Sequence, residues 1–204
     1  MFNCTTDNYT SLYQRWIDRK DGLLQFAALQ PGEAVLDLCG GTGVLSRQAL
    51  EMGASRVVLR DLNPRCHLLS PCFEARRASA EELQGESQFD VVACRQSIGY
   101  LNLKKVFPRV ARILRPGGRF VFNTFDHPRW GWHTYTYNGH RFVEASGYVG
   151  RRVFHMQLRI LDGVDFTLFQ WHPIPELIHE LEHHFSHITT ARKGSSWKIV
   201  AKVP

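Results

Sequence analysis

From Val35 to Gly43 the chain reads Val-Leu-Asp-Leu-Cys-Gly-Gly-Thr-Gly, an apolar run that carries one acid and then breaks into glycines. Glycine loses more conformational freedom on folding than any other residue, so a cluster of three needs a reason. A glycine-rich turn between a strand and a helix lets a ligand come close to the backbone, and the helix start offers unpaired N–H groups. That chemistry suits a nucleotide-like ligand. Asp37 stands just before the turn, where an acid repels a pyrophosphate but favours a cationic or hydroxyl-bearing group. Asp61 ends the next apolar run, placed to accept hydrogen bonds from ribose hydroxyls. A dinucleotide fingerprint requires GxGxxG. Here Gly41 and Gly43 are followed by Ser46 in the third glycine's place, which argues against a nicotinamide dinucleotide.

A second set of chemically capable residues lies between positions 126 and 173. It includes Trp130, Trp132, His133, Tyr135, His140, His155 and Trp171. Aromatic walls with a few polar groups are what a small-ligand pocket needs, although tryptophans also serve as plain hydrophobic cover. His155 and Gln157 share one face of an expected strand by the period of two. His179 and His183 stand four apart on an expected helix, without a further ligand or an HExxH pattern. They read as surface or packing residues, and no metal site is expected.

The elements that must position these residues alternate along the first 125 positions. Asn8–Lys20 has Tyr9, Leu12, Tyr13, Trp16 and Ile17 at helical spacing, and 22–29 continues as a helix, giving a helical segment over 8–30. Strands are expected at 34–38, 55–60, 74–78, 89–94 and 119–125, with helices at 43–52 and 103–114 and a turn at Arg115-Pro116-Gly117-Gly118. Asn63-Pro64 opens a short helix that Pro71 closes. Strands separated by helices imply a parallel sheet covered on both faces. From 126 to 173 the pattern becomes β-like, around 135–137, 141–148, 152–161 and 164–171, with Asp162-Gly163 as a hairpin signal. A helix at 175–184 and strands at 185–191 and 197–203 close the chain. The expectation is a single domain over 1–204 with a β-rich insert at 126–173.

Bulk properties agree with an ordinary globular chain: 204 residues, 44% hydrophobic and 22% charged. The net charge of +6 is spread out rather than massed, so nucleic acid is not the expected partner. Five cysteines without CxxC spacing point to reduced thiols and a cytoplasmic setting. The opening MFNCTTDNYT has no apolar signal run, and no stretch reaches the roughly 20 apolar residues of a membrane span.

Together these motifs resemble the class I S-adenosylmethionine-dependent methyltransferases. Val35–Gly43 is similar to that family's VLDxGxGTG, with Cys39 where its first glycine often stands. Asp61 matches its ribose-binding acid, and Ser79-Ala80-Glu81-Glu82-Leu83 its adenine-side segment. Phe89-Asp90-Val91-Val92 matches FDxV, and Leu114-Arg115-Pro116-Gly117-Gly118 matches LkPGG. The resemblance implies an α/β, Rossmann-like, seven-stranded and mostly parallel sheet flanked by helices, with the β-rich insert after strand five. It implies S-adenosylmethionine as cofactor and S-adenosylhomocysteine as product, held by Tyr9, Arg19, Asp37, Gly40, Gly41, Gly43, Asp61, Leu62, Ala80, Glu81 and Gln96.

Gln96-Ser97-Ile98-Gly99-Tyr100-Leu101 resembles the segment after strand four in small-molecule methyltransferases of the sugar N- and glycine N- types. Those enzymes cover the site with a β-rich insert. The resulting expectation is methyl transfer to N or O of a small molecule, with His133, His155 and Tyr100 as candidate catalytic residues, in a monomer or homodimer without a membrane partner. An RNA or protein methyltransferase and a non-catalytic cofactor-binding module are the alternatives.

Overall fold

The computed structural model describes residues 22–62, 64, 74–125, 131–137, 140–149, 152–160, 164–194 and 196–204. The expected helix at 8–20 and the short helix opened by Asn63-Pro64 lie outside the described residues.

Seven strands form one sheet: β1 (Ala34–Leu38), β2 (Arg56–Asp61), β3 (Glu74–Arg77), β4 (Phe89–Cys94), β5 (Leu114–Phe125), β10 (His187–Lys193) and β11 (Ser196–Lys202). Their spatial order is β10-β11-β5-β4-β1-β2-β3. β3, β2, β1, β4 and β5 run parallel, while β11 pairs antiparallel with both β5 and β10. Strand order reverses beside β1, which has β2 on one side and β4 on the other. Such a switch point opens a crevice at the carboxyl ends of the strands.

β1 is buried along its whole length, as a strand covered on both faces must be. On one face, Leu36, Leu38, Val92, Phe120 and Phe122 pack with Phe107 and Val110 of the helix Leu103–Ile113, and with Leu177 and Leu181 of the helix Ile174–Glu182. On the other, Val35, Val57, Leu59, Val91 and Val121 pack with Leu45 and Ala49 of the helix Val44–Glu51, and with Leu23 and Leu24. Asp90 ties the lower end of this layer together: its Oδ2 accepts from Ala34 N at 2.8 Å and from Arg115 at 2.7 Å.

Two expectations are corrected. The helix expected over 22–29 is a single turn, Leu23–Phe26. Gly22 and Ala28 bracket it with φ of 68° and 52°, backbone shapes that no helix continues through. Arg119 then anchors that end, donating to the Ala27 and Ala28 carbonyls and pairing with Glu33 at 2.7 Å. The second correction concerns Arg115–Gly118, expected as a turn before the fifth strand. β5 already begins at Leu114, opposite Phe89, and pairing resumes at Arg119 opposite Val91. The Pro-Gly-Gly residues are a bulge inside one strand, with Gly117 at φ 73°.

The region between β5 and the helix Ile174–Glu182 forms a separate four-stranded antiparallel meander: β6 (Gly131–Tyr137), β7 (His140–Val149), β8 (Arg152–Ile160) and β9 (Val164–Trp171). β8 and β9 pair from Ile160 opposite Val164, on either side of the expected hairpin. β9 runs beside the 3-10 turn Ile98–Tyr100 that follows β4. No helix among the described residues is long and apolar enough to cross a membrane.

Candidate functional site

The crevice at the carboxyl ends of β1, β2 and β4 is built around Asp37. Its side chain is buried on the last turn-ward half of β1, and its Oδ2 accepts from Ser46 N at 3.0 Å and Ser46 Oγ at 2.7 Å. Ser46 lies in the first turn of the helix Val44–Glu51, so the acid uses orphan donor capacity at a helix start. Burial pushes the Asp37 carboxyl up to about 6, against the lowering effect of the Ser46 bonds. Asp61 adds to the rise by like-charge repulsion, and Arg95 opposes it. Oδ1 of Asp37 is buried and has no hydrogen-bond partner among the described residues. An acid oxygen left this way inside a fold is unusual and marks a place for a donor from elsewhere.

The glycines divide the work of the crossing. A Cβ on Gly40 would stand 2.7 Å from both the Asp37 Cγ and the Leu59 Cγ. Only a residue without a side chain lets the backbone pass there. Gly41, at φ 51°, is the reverse: nothing described lies within 4 Å of the place its Cβ would take. Its amide faces Asp61, whose Oδ2 accepts from Gly41 N at 3.0 Å. Gly43, at φ 78°, starts the helix and donates to Gly40 O at 2.8 Å. Asp61 therefore holds the loop as well as facing the crevice.

Beyond the glycines, Leu62 is 67% exposed and Tyr100 51% exposed, the only large hydrophobic side chains so exposed among the described residues. Both stand at the carboxyl end of the sheet, after β2 and β4. Gln96 sits between β4 and the Ile98–Tyr100 turn with φ 54°, and donates its backbone N–H to Asn123 Oδ1 on β5 at 2.8 Å. Ala80 is buried in the core, and Glu81 has its carboxylate 3.0 Å from Lys105. Four described non-glycine residues have positive φ; two of them, Cys39 and Gln96, border this crevice. Strained backbone of that kind gathers at binding sites.

The structure thus brings Asp37, Gly40, Gly41, Gly43, Asp61, Leu62 and Gln96 to one crevice. Ala80 and Glu81 follow β3 in the turn Ala80–Glu82. Tyr9 and Arg19 lie outside the described residues. His133 and His155 are placed by backbone register. His133 on β6 is opposite Glu144 on β7, which is opposite Gln157 on β8, which is opposite Thr167 on β9. The neighbouring row on the same face is Gly131, Ser146, His155 and Phe169. The other face takes rows such as Thr134, Val143, Leu158 and Phe166. Register and alternation therefore put His133 and His155 on one face of the sheet, with Glu144, Gln157 and Thr167 in the His133 row.

Sequence reasoning missed Ser46 and Asn123. Ser46 has a local signal, a hydroxyl in the first turn after the glycines, which the dinucleotide fingerprint registers only as the lack of a third glycine. Asn123 had none, because its bond to Gln96 spans 27 positions.

A family model described as "Methyltransferase domain" matches residues 11–182. An uncharacterized methyltransferase of Mycobacterium tuberculosis is 36% identical over 118 residues, covering 55% of this chain and 46% of the relative. The chain thus spans about half the length of that relative. A crystal structure of an S-adenosylmethionine-dependent methyltransferase from Clostridium acetobutylicum superposes with a TM-score of 0.71 at 18% identity, covering 94% of this chain and 92% of the other. A SAM-bound amino pentose methyltransferase of calicheamicin biosynthesis from Micromonospora echinaspora gives a TM-score of 0.66 at 19% identity, with each chain fully covered. At these identities the likeness shows a shared fold.

Proposed function

This chain belongs to the methyltransferase domain family, and from that premise we propose that it transfers a methyl group from S-adenosylmethionine to a nitrogen or oxygen atom of a small molecule. The observation that carries the cofactor reading is the crossing after β1. There a buried acid keeps one oxygen without a donor among the described residues, one glycine passes over that acid, and the next glycine has no described atom within 4 Å of its Cβ position. This donor set fits a ligand that is cationic at one end and hydroxylated further along. Asp37 and the glycine crossing would seat the amino-acid end, Asp61 the ribose hydroxyls, and Leu62 the base. When bound, S-adenosylmethionine supplies an electrophilic methyl on a sulfonium centre.

The chain's own residues then have three tasks. The glycine crossing fixes the donor, so that the acceptor needs only to be held in line with it, an orientation effect. The sheet β6–β9 caps the crevice beside Tyr100 and keeps water out. His133 or His155 takes the proton that the acceptor nitrogen or oxygen releases. The small-molecule reading is supported by the polar rows of that sheet, and by the amino pentose methyltransferase among its structural neighbours.

The test is calorimetric titration with S-adenosylhomocysteine, followed by a homocysteine-release screen of amines, phenols and hydroxylated sugars. Binding with turnover of at least one such acceptor is the expected result. Binding with turnover only on RNA or protein would replace the small-molecule reading, and no binding would end the cofactor reading.

A further inference from the structure

Two thiols that the transfer does not use meet beneath the crevice. Cys39 opens the glycine crossing, and Cys94 is the last residue of β4. β1 and β4 are neighbouring parallel strands with Asp37 opposite Ala93, so Cys39 lies one residue past the position facing Cys94. Neighbouring strands about 4.8 Å apart, offset by one rise of about 3.3 Å, put Cα atoms about 6 Å apart. That separation lies inside the roughly 4.4–6.8 Å that a disulfide spans. Both cysteines are free thiols, Cys94 buried and Cys39 partly exposed. Cys39 packs against the core cluster that contains Cys94. The Cys39 thiol is the first cause, ahead of burial, of a Cys94 pKa well above its ordinary value. Cys39 also has φ 58°, a backbone shape that glycine takes without strain. A sulfur thus sits at a strained position in direct line with the glycine loop.

We propose that Cys39 and Cys94 form an oxidation site, where hydrogen peroxide converts the pair to an intramolecular disulfide that closes the crevice to S-adenosylmethionine. This rests on the cofactor reading above. The Cys39 sulfur, the more exposed of the two, attacks peroxide. An S–O bond forms, the O–O bond breaks, and hydroxide leaves with the thiol proton as water. The Cys94 sulfur then attacks Cys39, forming the S–S bond and releasing a second water. The two thiols lose two electrons and two protons, and one peroxide takes them up. Cys94, the buried thiol of the pair, is the resolving partner and gives up its proton to the departing water as the S–S bond forms.

Closure follows from the lack of slack at the next residue. An S–S bond of about 2.05 Å draws Cys39 towards β4. Cys39 N is already bonded to Arg60 O at 2.7 Å, and Gly40 passes so near Asp37 and Leu59 that a Cβ has no room. A shift at Cys39 is therefore passed to Gly40 and Gly41, the part of the loop that faces the ligand.

The experiment titrates S-adenosylhomocysteine into the full chain before and after peroxide, with intact mass and peptide mapping on the same samples. The expected result is binding by the reduced protein, then loss of two hydrogen masses mapped to a 39–94 link. Affinity then falls by at least about tenfold and returns with dithiothreitol. Cys94→Ala, which keeps the loop intact, forms no such link. No 39–94 link in the wild type, or a link with unchanged affinity, overturns the proposal. A reduced protein that fails to bind overturns the cofactor reading and the switch with it, and the mass then reports on the disulfide by itself.

Discussion

The crossing after β1 and the four-stranded sheet β6–β9 divide the proposed reaction between them and are built in opposite ways. At the crossing, nearly every choice is dictated by backbone shape and by bonds to close sequence neighbours or to the adjoining strand end: Asp37 to Ser46, Gly43 to Gly40, and Gly41 to Asp61 at the end of β2. In the sheet, backbone pairing makes the frame, and alternation sorts residues onto two faces, one of which carries both histidines. A ladder holds whichever side chains occupy its rows. The first region is over-determined and suits an unchanging ligand. The second leaves residue identity free, so acceptor choice can change there without disturbing the cofactor's seat.

The largest effect is expected at Gly40. Gly40→Val drives a side chain into Asp37 and Leu59, where a Cβ already stands at 2.7 Å. It should abolish binding of S-adenosylhomocysteine and lower stability by about 1–3 kcal/mol, read by calorimetry and thermal melting. Retained binding would mean that the crossing is not rigid, and the comparison would break.

On the sheet side, His133→Ala and His155→Ala should separate transfer from cofactor binding. One of them is expected to slow methyl transfer by about 10²–10⁴-fold, with cofactor affinity unchanged. Equal losses in affinity and rate would place the histidine in the cofactor's half.

A third prediction uses pH. The Asp37 carboxyl is raised from 3.8 to about 6, so the folded state holds a proton that the unfolded state has released. Between those values stability falls as pH rises, by up to about 3 kcal/mol once Asp37 is charged. Asp37→Asn should remove that slope and be more stable than wild type at neutral pH, while binding the cofactor more weakly. Denaturant melts across the window check this, and an unchanged slope would refute it. Ser46→Ala should act in the same place but less, losing a bond to a charged group that contributes about 1.5–3 kcal/mol. Weaker cofactor binding with an intact fold is expected, measured by the same titration.

The same contrast explains what could be read in advance. The apolar runs of β1, β2 and β4, the glycines and the two acids were legible because each is a local pattern with a local cause. The strands of the insert were legible through alternation, though their assembly into a sheet of their own was not. Pairings such as His133 with Glu144 depend on register, which single-strand periodicity does not contain. The end of the 22–29 helix is not legible in the sequence, because it stops where Arg119, more than 90 positions away, takes the Ala27 and Ala28 carbonyls. The Cys39–Cys94 meeting was hidden for the same reason: it follows from β4 lying beside β1, a fact of strand order.

Gly41 offers the most direct test of the cofactor's seat. Nothing described lies within 4 Å of where its side chain would go, so Gly41→Leu fills the crevice without striking the described protein around it. Its φ of 51° adds about 1–2 kcal/mol of strain, which leaves a folded chain to measure. S-adenosylhomocysteine would be titrated into wild type and Gly41→Leu, with circular dichroism to verify the fold of each. The account predicts binding by the wild type and none by a folded Gly41→Leu. Equal affinity in the two proteins would contradict it, and the cofactor's seat would have to be sought elsewhere.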